Sequence, residues 1–505
     1  MKQSKLERLI TPFEEKLNET PWQEYPRPKF KRDSYLNLNG KWELGVKGSA
    51  SYENVGQILV PFPPESRISG IEREFSKNDI LVYKRSFNIK ETFLRDRLML
   101  HFGAVDQSCS VFINGKLVGE HIGGYIPFSL DISDAATVGE NEIIVEVSDP
   151  LDLDLPYGKQ TKKRGGMWYT PVSGIWQTVW IEALPENYIQ KLVITPSSNK
   201  VTIEVIGGAN KNRLVLEGNE YEFEKSITLT PENPETWTPD NPKLYDFTVI
   251  SGKDTVSSYF ALREVKIDGN RILINGNPTF FHGLLDQGYF SDGIYLPATE
   301  EGFKKDILTM KKLGFNMLRK HIKIEPDLFY YYCDKYGMFV FQDLVNSGKY
   351  SFLIDTALPT IGLKRGITHK ASKKRREAFE TTASETVVLL HNHPSIVYYT
   401  LFNEGWGQYD AVRLDRKMKS LEPNRVWDAT SGWFWTDESD VLSEHIYFKP
   451  LKLKNDGRPL VLSEFGGYSF KAEDHVFNKY NTYGYKFYKE SEELKKGLWF
   501  STPSR

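Results

Sequence analysis

The stretch Ser395-Ile396-Val397-Tyr398-Tyr399-Thr400-Leu401-Phe402-Asn403-Glu404 sets the terms for the rest of the chain. It follows a helix stop at Asn392-His393-Pro394, and its β-branched and aromatic residues read as a buried strand. It runs straight into Asn403-Glu404 and then Gly405-Trp406-Gly407. A carboxylate at the end of an apolar strand is costly unless it faces a solvated or functional cavity. In α/β barrels such strand ends open into the active site. Glu404 is therefore a candidate catalytic acid, with a solvated strand end as the plain alternative.

From about residue 266 strands alternate with helices, which argues for a parallel sheet or barrel. Besides the opening stretch, strands are expected at Thr279–Leu285, Asn316–Arg319, Met338–Gln342, Val426–Ser431, Leu442–Tyr447 and Leu460–Phe465. Helices are expected at Thr299–Leu313, Pro326–Tyr336, Lys373–His391, Tyr409–Leu421 and Asn481–Lys496. A closed (β/α)8 barrel needs eight strands. This count reaches seven, and only Trp499–Arg505 follows the last helix, so the expectation is a barrel lacking its last strand–helix unit. Glu464 repeats the opening pattern, in Leu460-Val461-Leu462-Ser463-Glu464-Phe465-Gly466-Gly467. Glu404 and Glu464 would then meet in the barrel mouth. Two carboxylates across a cleft are what glycoside hydrolysis requires, at about 5–5.5 Å for a retaining enzyme.

Ahead of the barrel the chain reads as β-structure. Residues 1–185 carry short alternating runs with turn signals, Asn114-Gly115 the strongest among them, and suggest a jelly roll or sandwich. Only Leu6, Ile10, Phe13 and Leu17 recur at helical spacing there, and Pro12 argues for a break. Residues 186–265 suggest an immunoglobulin-like sandwich, and residues 266–505 the barrel. A net charge of −2 offers no broad attraction to nucleic acid or an anionic membrane. The basic run Lys373-Lys374-Arg375-Arg376 reads as the solvated start of a helix. Two cysteines, Cys109 and Cys333, lie in different expected domains and suit a reducing compartment. Met1–Arg8 shows no apolar leader core, and no run is long enough to span a membrane, so the cytoplasm is the expected location.

Several short motifs, in order and spacing, resemble glycoside hydrolase family 2, the family of bacterial β-galactosidases, β-glucuronidases and β-mannosidases. They are Val111-Phe112-Ile113-Asn114-Gly115-Lys116, Gly123-Gly124-Tyr125-Ile126-Pro127-Phe128, Gly174-Ile175-Trp176-Gln177, Trp237-Thr238-Pro239 through Leu244-Tyr245, and Ile274-Asn275-Gly276-Asn277-Pro278. Asn392-His393-Pro394-Ser395 with Asn403-Glu404 resembles the acid/base signature, and Ser463-Glu464-Phe465-Gly466 the nucleophile signature. The resemblance implies retaining, two-step chemistry with Glu404 as general acid then base and Glu464 as nucleophile. Glu404 is then expected to stay protonated near neutral pH, its pKa raised by its neighbour.

The same resemblance implies that Asn403 binds the sugar 2-hydroxyl, Tyr447 orients the nucleophile and Arg319 fixes its carboxylate. His445 is expected to line the pocket, Asp286 and His282 to approach the glycone, and Trp406, Trp433 and Trp435 to stack on sugar rings. For His282 a satisfied barrel-end histidine, and for the tryptophans loop packing, are the plain alternatives. His391 and His393 lack further ligands nearby for zinc, and no metal set is read from the chain, though magnesium or sodium follows from the resemblance alone. The expected activity is a retaining exo-β-glycosidase on β-linked sugars, β-galactosidase first and β-glucuronidase second, with homo-oligomers possible. The rival is a non-catalytic carbohydrate-binding protein.

Overall fold

The computed structural model of the protein describes residues 9–48, 51–163, 165–447, 453, 455–473, 475–476, 478, 480 and 482–501. The Met1–Arg8 segment read for a leader, Asn481 at the expected start of the last helix, and Thr502–Arg505 lie outside the described residues.

The first β unit packs two antiparallel sheets. One runs Tyr52–Val60, Gly40–Lys47, Ile80–Ile89, Gly139–Ser148, Ser108–Ile113 and Lys116–Ile122 in spatial order. The other runs Leu36–Asn37, Val179–Leu184, Arg97–Phe102 and Phe128–Asp131. Strict alternation in Ser108–Ile113 and Gly139–Ser148 turns Val111, Ile113, Ile143, Val145 and Val147 into the space between the sheets, where Trp42, Leu44 and Tyr83 meet them. Asn114-Gly115 makes the expected hairpin, both residues at positive φ. Where the first residues recur at helical spacing, the described residues form the single 3-10 turn Glu14–Lys16, which begins two residues after Pro12.

The second β unit is a sandwich of three strands (Ile189–Pro196, Val201–Gly207, Ser226–Leu229) on four (Asn219–Phe223, Asn212–Leu216, Tyr245–Ser251, Asp254–Phe260). Its core is Ile194, Ile203, Leu214, Phe247, Val249 and Phe260.

In the α/β region five strands form one parallel ladder: Gly283–Asp286, Met317–Lys320, Phe339–Asp343, Ile396–Thr400 and Val426–Asp428. Leu442–Ile446 and Leu460–Phe465 form a second parallel pair. These are the seven expected strands. Among the described residues no ladder joins Leu460–Phe465 to Gly283–Asp286, and Leu284 and Leu285 on the first strand are exposed. The helices Glu301–Lys312, Asp327–Tyr336, Lys373–Leu390 and Ala411–Leu421 lie close to the expected spans. Pro326 stands at the N-cap of its helix, outside the first turn, and Ser372 caps the next by accepting from the Arg375 amide at 3.0 Å.

Two expectations fail. The opening strand ends at Thr400, and Asn403–Gly405 forms a separate 3-10 turn. The expected helix from Asn481 starts only at Ser491, because Lys486–Tyr488 is a strand paired with Tyr468–Phe470. Tyr483, Tyr485 and Phe487 alternate with a period of two, and that spacing suits a strand.

The units share cores and buried charge. Trp22, Phe62, Tyr125 and Trp176 of the first unit join Tyr295, Phe303, Tyr330 and Phe402 of the barrel in one cluster. Asp334, on the second barrel helix, accepts from Tyr259 Oη of the sandwich at 2.8 Å, from the Ser395 amide at 2.9 Å, and bonds His393 Nδ1 at 2.6 Å. His393 Nε2 lies 2.9 Å from Asp327, which Lys29 of the first unit also meets at 2.7 Å. His393 is thus a structural junction, and His391 turns away to Glu422 at 2.5 Å.

Removing one member of such a dry network leaves the others uncompensated. Asp334→Ala is expected to cost about 3–5 kcal/mol, and Asp334→Asn less, because it keeps part of the hydrogen bonding. Urea unfolding followed by tryptophan fluorescence checks the order. An unchanged midpoint in Asp334→Ala would count against the junction.

Candidate active site

The C-terminal ends of the parallel strands bring their polar residues to one place. Arg319 comes from the second barrel strand, Asp343 from the third, Asn403 and Glu404 from the turn after the fourth, Ser431 from the loop after the fifth, His445 from the sixth and Glu464 from the seventh. Glu404 sits four residues beyond its strand at φ 54°, ψ 22°, a left-handed conformation unusual for a non-glycine residue and common at functional turns. Gly405 and Gly407 follow at positive φ. A Cβ on Gly407 would lie 2.1 Å from the Ser347 carbonyl oxygen, so only glycine lets the turn fold back there.

One oxygen of Glu404, one of Glu464 and a ring nitrogen of His445 lie within 4.8 Å of one another. Arg319 organises this group. Its Nε donates to Asp343 at 3.0 Å, Nη1 to Glu464 Oε1 at 3.0 Å, and Nη2 to Asn403 Oδ1 at 2.9 Å and to Ser431 Oγ at 3.2 Å. Burial opposes the guanidinium charge, but Asp343 and Glu464 outweigh it and push its pKa up. Asp343 is raised by burial, with Arg319 pulling the other way. The Tyr447 hydroxyl donates to Glu464 Oε2. Arg319 Nη1 also lies 3.2 Å from His445 Nε2, and His445 Nδ1 faces Glu404 Oε1 at 3.3 Å.

Asn403 Nδ2 donates to His321 Nε2 at 3.0 Å, which leaves the His321 proton on Nδ1 against the Tyr169 hydroxyl. Burial, reinforced by Lys159 and Arg319, pulls His321 well below the usual imidazole range and keeps it neutral. Both carbonyl and amide ends of Asn403 are thereby fixed.

Two of these groups come from the first β unit. Tyr169 reaches His321, and Lys159 Nζ lies 3.4 Å from Glu404 Oε2. The consequence for Glu404 runs against expectation. Burial raises its pKa, but Lys159 and then His445 more than offset this and hold the carboxyl below the ordinary range. A cation from another domain beside Glu404 thus favours its carboxylate form.

Of the other expected residues, Asp286 is at the end of the first barrel strand, its carboxylate held by Lys320 at 2.9 Å and by the Gly288 amide at 2.9 Å. His282 precedes that strand, at the opposite end from the glutamates, and packs on Phe315, so it does not approach a glycone. Trp406 is 2% exposed, ringed edge-on by Tyr157, Trp168 and Tyr350, and is closed to stacking by a sugar. Trp433 is half-buried on the loop that carries Ser431. A Cβ on the intervening Gly432 would lie 2.0 Å from the His445 ring, so this loop lies flat on that histidine. Trp435 has Lys364 over its ring at 4.4 Å.

Sequence reading missed Lys159, Tyr169, His321, Asp343 and Ser431. Asp343 carries the same signature as the glutamates, an acid closing the apolar run Phe339-Val340-Phe341. Lys159, 245 residues from Glu404, carries none.

Metal chemistry is limited by the donors themselves. The Glu404–His445–Glu464 group has the geometry of a small ligand set, but Lys159 and Arg319 already face its carboxylates and both His445 nitrogens are engaged. The set does not fit a resident magnesium or sodium ion.

Comparison with known proteins agrees with this architecture throughout. Family models match residues 26–185 (glycosyl hydrolases family 2, sugar binding domain), 186–263 (glycosyl hydrolases family 2) and 265–486 (glycosyl hydrolases family 2, TIM barrel domain). The chain belongs to glycosyl hydrolase family 2. It is 28% identical over 294 residues to a β-galactosidase of Thermoanaerobacter pseudethanolicus, covering 52% of this chain and 39% of that protein. It is 23% identical over 424 residues to a putative β-glucuronidase of Formosa agariphila, covering 76% and 48%. This family 2 chain thus spans less than half the length of either relative. Among solved structures it superposes on a β-galacturonidase of Eisenbergiella tayi with a TM-score of 0.72 at 20% identity, covering 94% of this chain and 87% of that one. A β-D-glucuronidase of Dictyoglomus thermophilum gives 0.71 at 21% identity, covering 90% and 87%. Both share the fold.

Arg319→Met strands Asp343 and Glu464 and is expected to cost about 3–5 kcal/mol. Adding Asp343→Asn is expected to recover part of that loss, since the two residues interact directly. A double-mutant cycle of urea midpoints checks this, and strict additivity would contradict it.

Proposed function

We propose that this chain is a retaining exo-β-glycosidase, with β-galactosides the first substrate class and β-glucuronides the second. The observation that carries the reading is the approach of the Glu404 and Glu464 oxygens to within 4.8 Å. That suits direct attack by one carboxylate, whereas an inverting enzyme leaves room for a water with carboxyl groups about 6.5–9.5 Å apart. In the first step a Glu464 oxygen bonds to the anomeric carbon as the bond to the leaving oxygen breaks, and Glu404 gives that oxygen its proton. In the second, Glu404 takes a proton from water, the hydroxyl bonds to the anomeric carbon, and Glu464 departs as carboxylate. Arg319 and Tyr447 hold Glu464 on both oxygens, so its attacking direction is set before substrate arrives. Asn403, locked between Arg319 and His321, takes the sugar 2-hydroxyl in this reading, and its fixed amide supports that role.

The glycone choice rests on relatives, which carry both galactosidase and glucuronidase names. A panel of nitrophenyl β-galactoside, β-glucuronide, β-glucoside and β-mannoside decides it, and proton NMR of the first-released sugar should show the β anomer. Glu464→Gln is expected to abolish turnover. Glu404→Gln is expected to lose about 10²–10⁴-fold with a poor leaving group and much less with dinitrophenolate. Full activity in Glu464→Gln would overturn the nucleophile assignment. Saturable sugar binding without turnover of any glycoside would favour the carbohydrate-binding alternative.

A further inference from the structure

The Lys159 ammonium is placed with care by its surroundings. The Tyr157 and Gly158 amides donate to the Asn346 carbonyl at 2.9 and 3.1 Å, Tyr157 Oη donates to the Gly348 carbonyl at 2.9 Å, and the Tyr169 amide donates to the Lys159 carbonyl at 2.8 Å. Gln160, the next residue, is fixed by Tyr125 at 3.0 Å, by Asp106 at 3.2 Å and by the Val172 amide at 2.8 Å. Gly158 adopts φ +68°, and a Cβ there would come 3.2 Å from the Ile322 carbonyl oxygen. The segment is therefore pinned to the loops after the second and third barrel strands on one side and to its own β unit on the other. It delivers a side chain only 7% exposed to a carboxylate 13% exposed, 3.4 Å away. A buried ammonium is costly, and it persists where an opposite charge compensates it.

We propose that Lys159 is a positioning residue that keeps Glu404 in its ionised form in the free protein and must give up that contact for Glu404 to deliver a proton. The proposal rests on the glycosidase reading for its meaning in catalysis. Lys159 favours the form of Glu404 that takes a proton from water in the second step. It opposes the form that gives a proton in the first, and the proton for that form comes from solvent. The jelly-roll unit thereby sets the balance between two duties of one carboxylate on the barrel. Other groups also face Glu404. They are His445 on the sixth strand, His321 after the second, Glu464 on the seventh, Tyr350 after the third, and Tyr447 and Tyr485 beyond the sixth and seventh. Of these, His321 is held neutral and Glu464 is matched by Arg319, which leaves Lys159, ahead of His445, as the foremost group favouring the Glu404 carboxylate. The depressed Glu404 carboxyl fits this arrangement, with burial pulling it upward and Lys159 the foremost group pulling it down.

The test compares the parent with Lys159→Met, Lys159→Gln and Lys159→Arg. In kcat/KM against pH with an alkyl glycoside, activity falls as Glu404 loses its proton. Loss of the ammonium is expected to move that fall to higher pH by about one unit or more. Lys159→Arg is expected to keep it in place. A dinitrophenyl glycoside, which needs no proton on leaving, should show no such difference. Lys159→Gln is read in the same way should the methionine variant fail to fold. A second readout needs no turnover: the carboxyl carbon-13 titration of Glu404, assigned against Glu404→Gln, should move upward by the same amount. A titration and pH limb unchanged in both neutral variants, or equally shifted in Lys159→Arg, overturns the proposal. Absence of turnover from the parent defeats the glycosidase reading instead, and the carbon-13 titration still judges Lys159.

Discussion

The mouth of the barrel is assembled around one buried guanidinium. Arg319 bonds residues from five other strand ends or loops, and each of them owes its position to it: Asp343, Asn403, Ser431, His445 and Glu464. A planar cation with donors on three nitrogens can do this, while an ammonium on a flexible stem cannot. The charge is stable in a dry site because Asp343 lies behind it and Glu464 in front. Glu464, the candidate nucleophile, is therefore also a structural counter-ion. The Glu464 carboxylate and the Asn403 amide are thereby aligned through a single side chain.

Much of this was legible in the sequence because period and burial are local properties. The seven parallel strands announced themselves as short apolar runs, and Glu404 and Glu464 as acids where such runs stop. The roles of Asn403, Tyr447 and Arg319 came by resemblance, and the structure gathers these three residues around Glu464 and Arg319. What escaped depended on tertiary packing. Trp406 looked like a sugar platform, since an aromatic close to Glu404 gives no local sign that three other rings will enclose it. His282 was placed at the wrong end because the first strand begins later than its apolar run suggested. Lys486–Tyr488 read as helix in a tract where alternating aromatics stand among charged residues.

The state of Glu404 was misread for a further reason. Expecting a raised pKa considered only the partner carboxylate. Arg319 neutralises that partner, and a lysine from a different domain reverses the sign at Glu404. No pattern within the barrel segment contains that information. The jelly-roll unit is thus part of the electrostatics of the site, through Lys159 and through Tyr169 on His321, as well as part of its packing.

Gly432 joins two things that otherwise look separate. Its bare α-carbon rests against the His445 imidazole, and Trp433 is the next residue along. The loop that carries Trp433 and the ring that meets both carboxylates are consequently held against each other. A single methyl group at position 432 would collide with that ring, disturbing the cluster from a residue that has no functional group of its own.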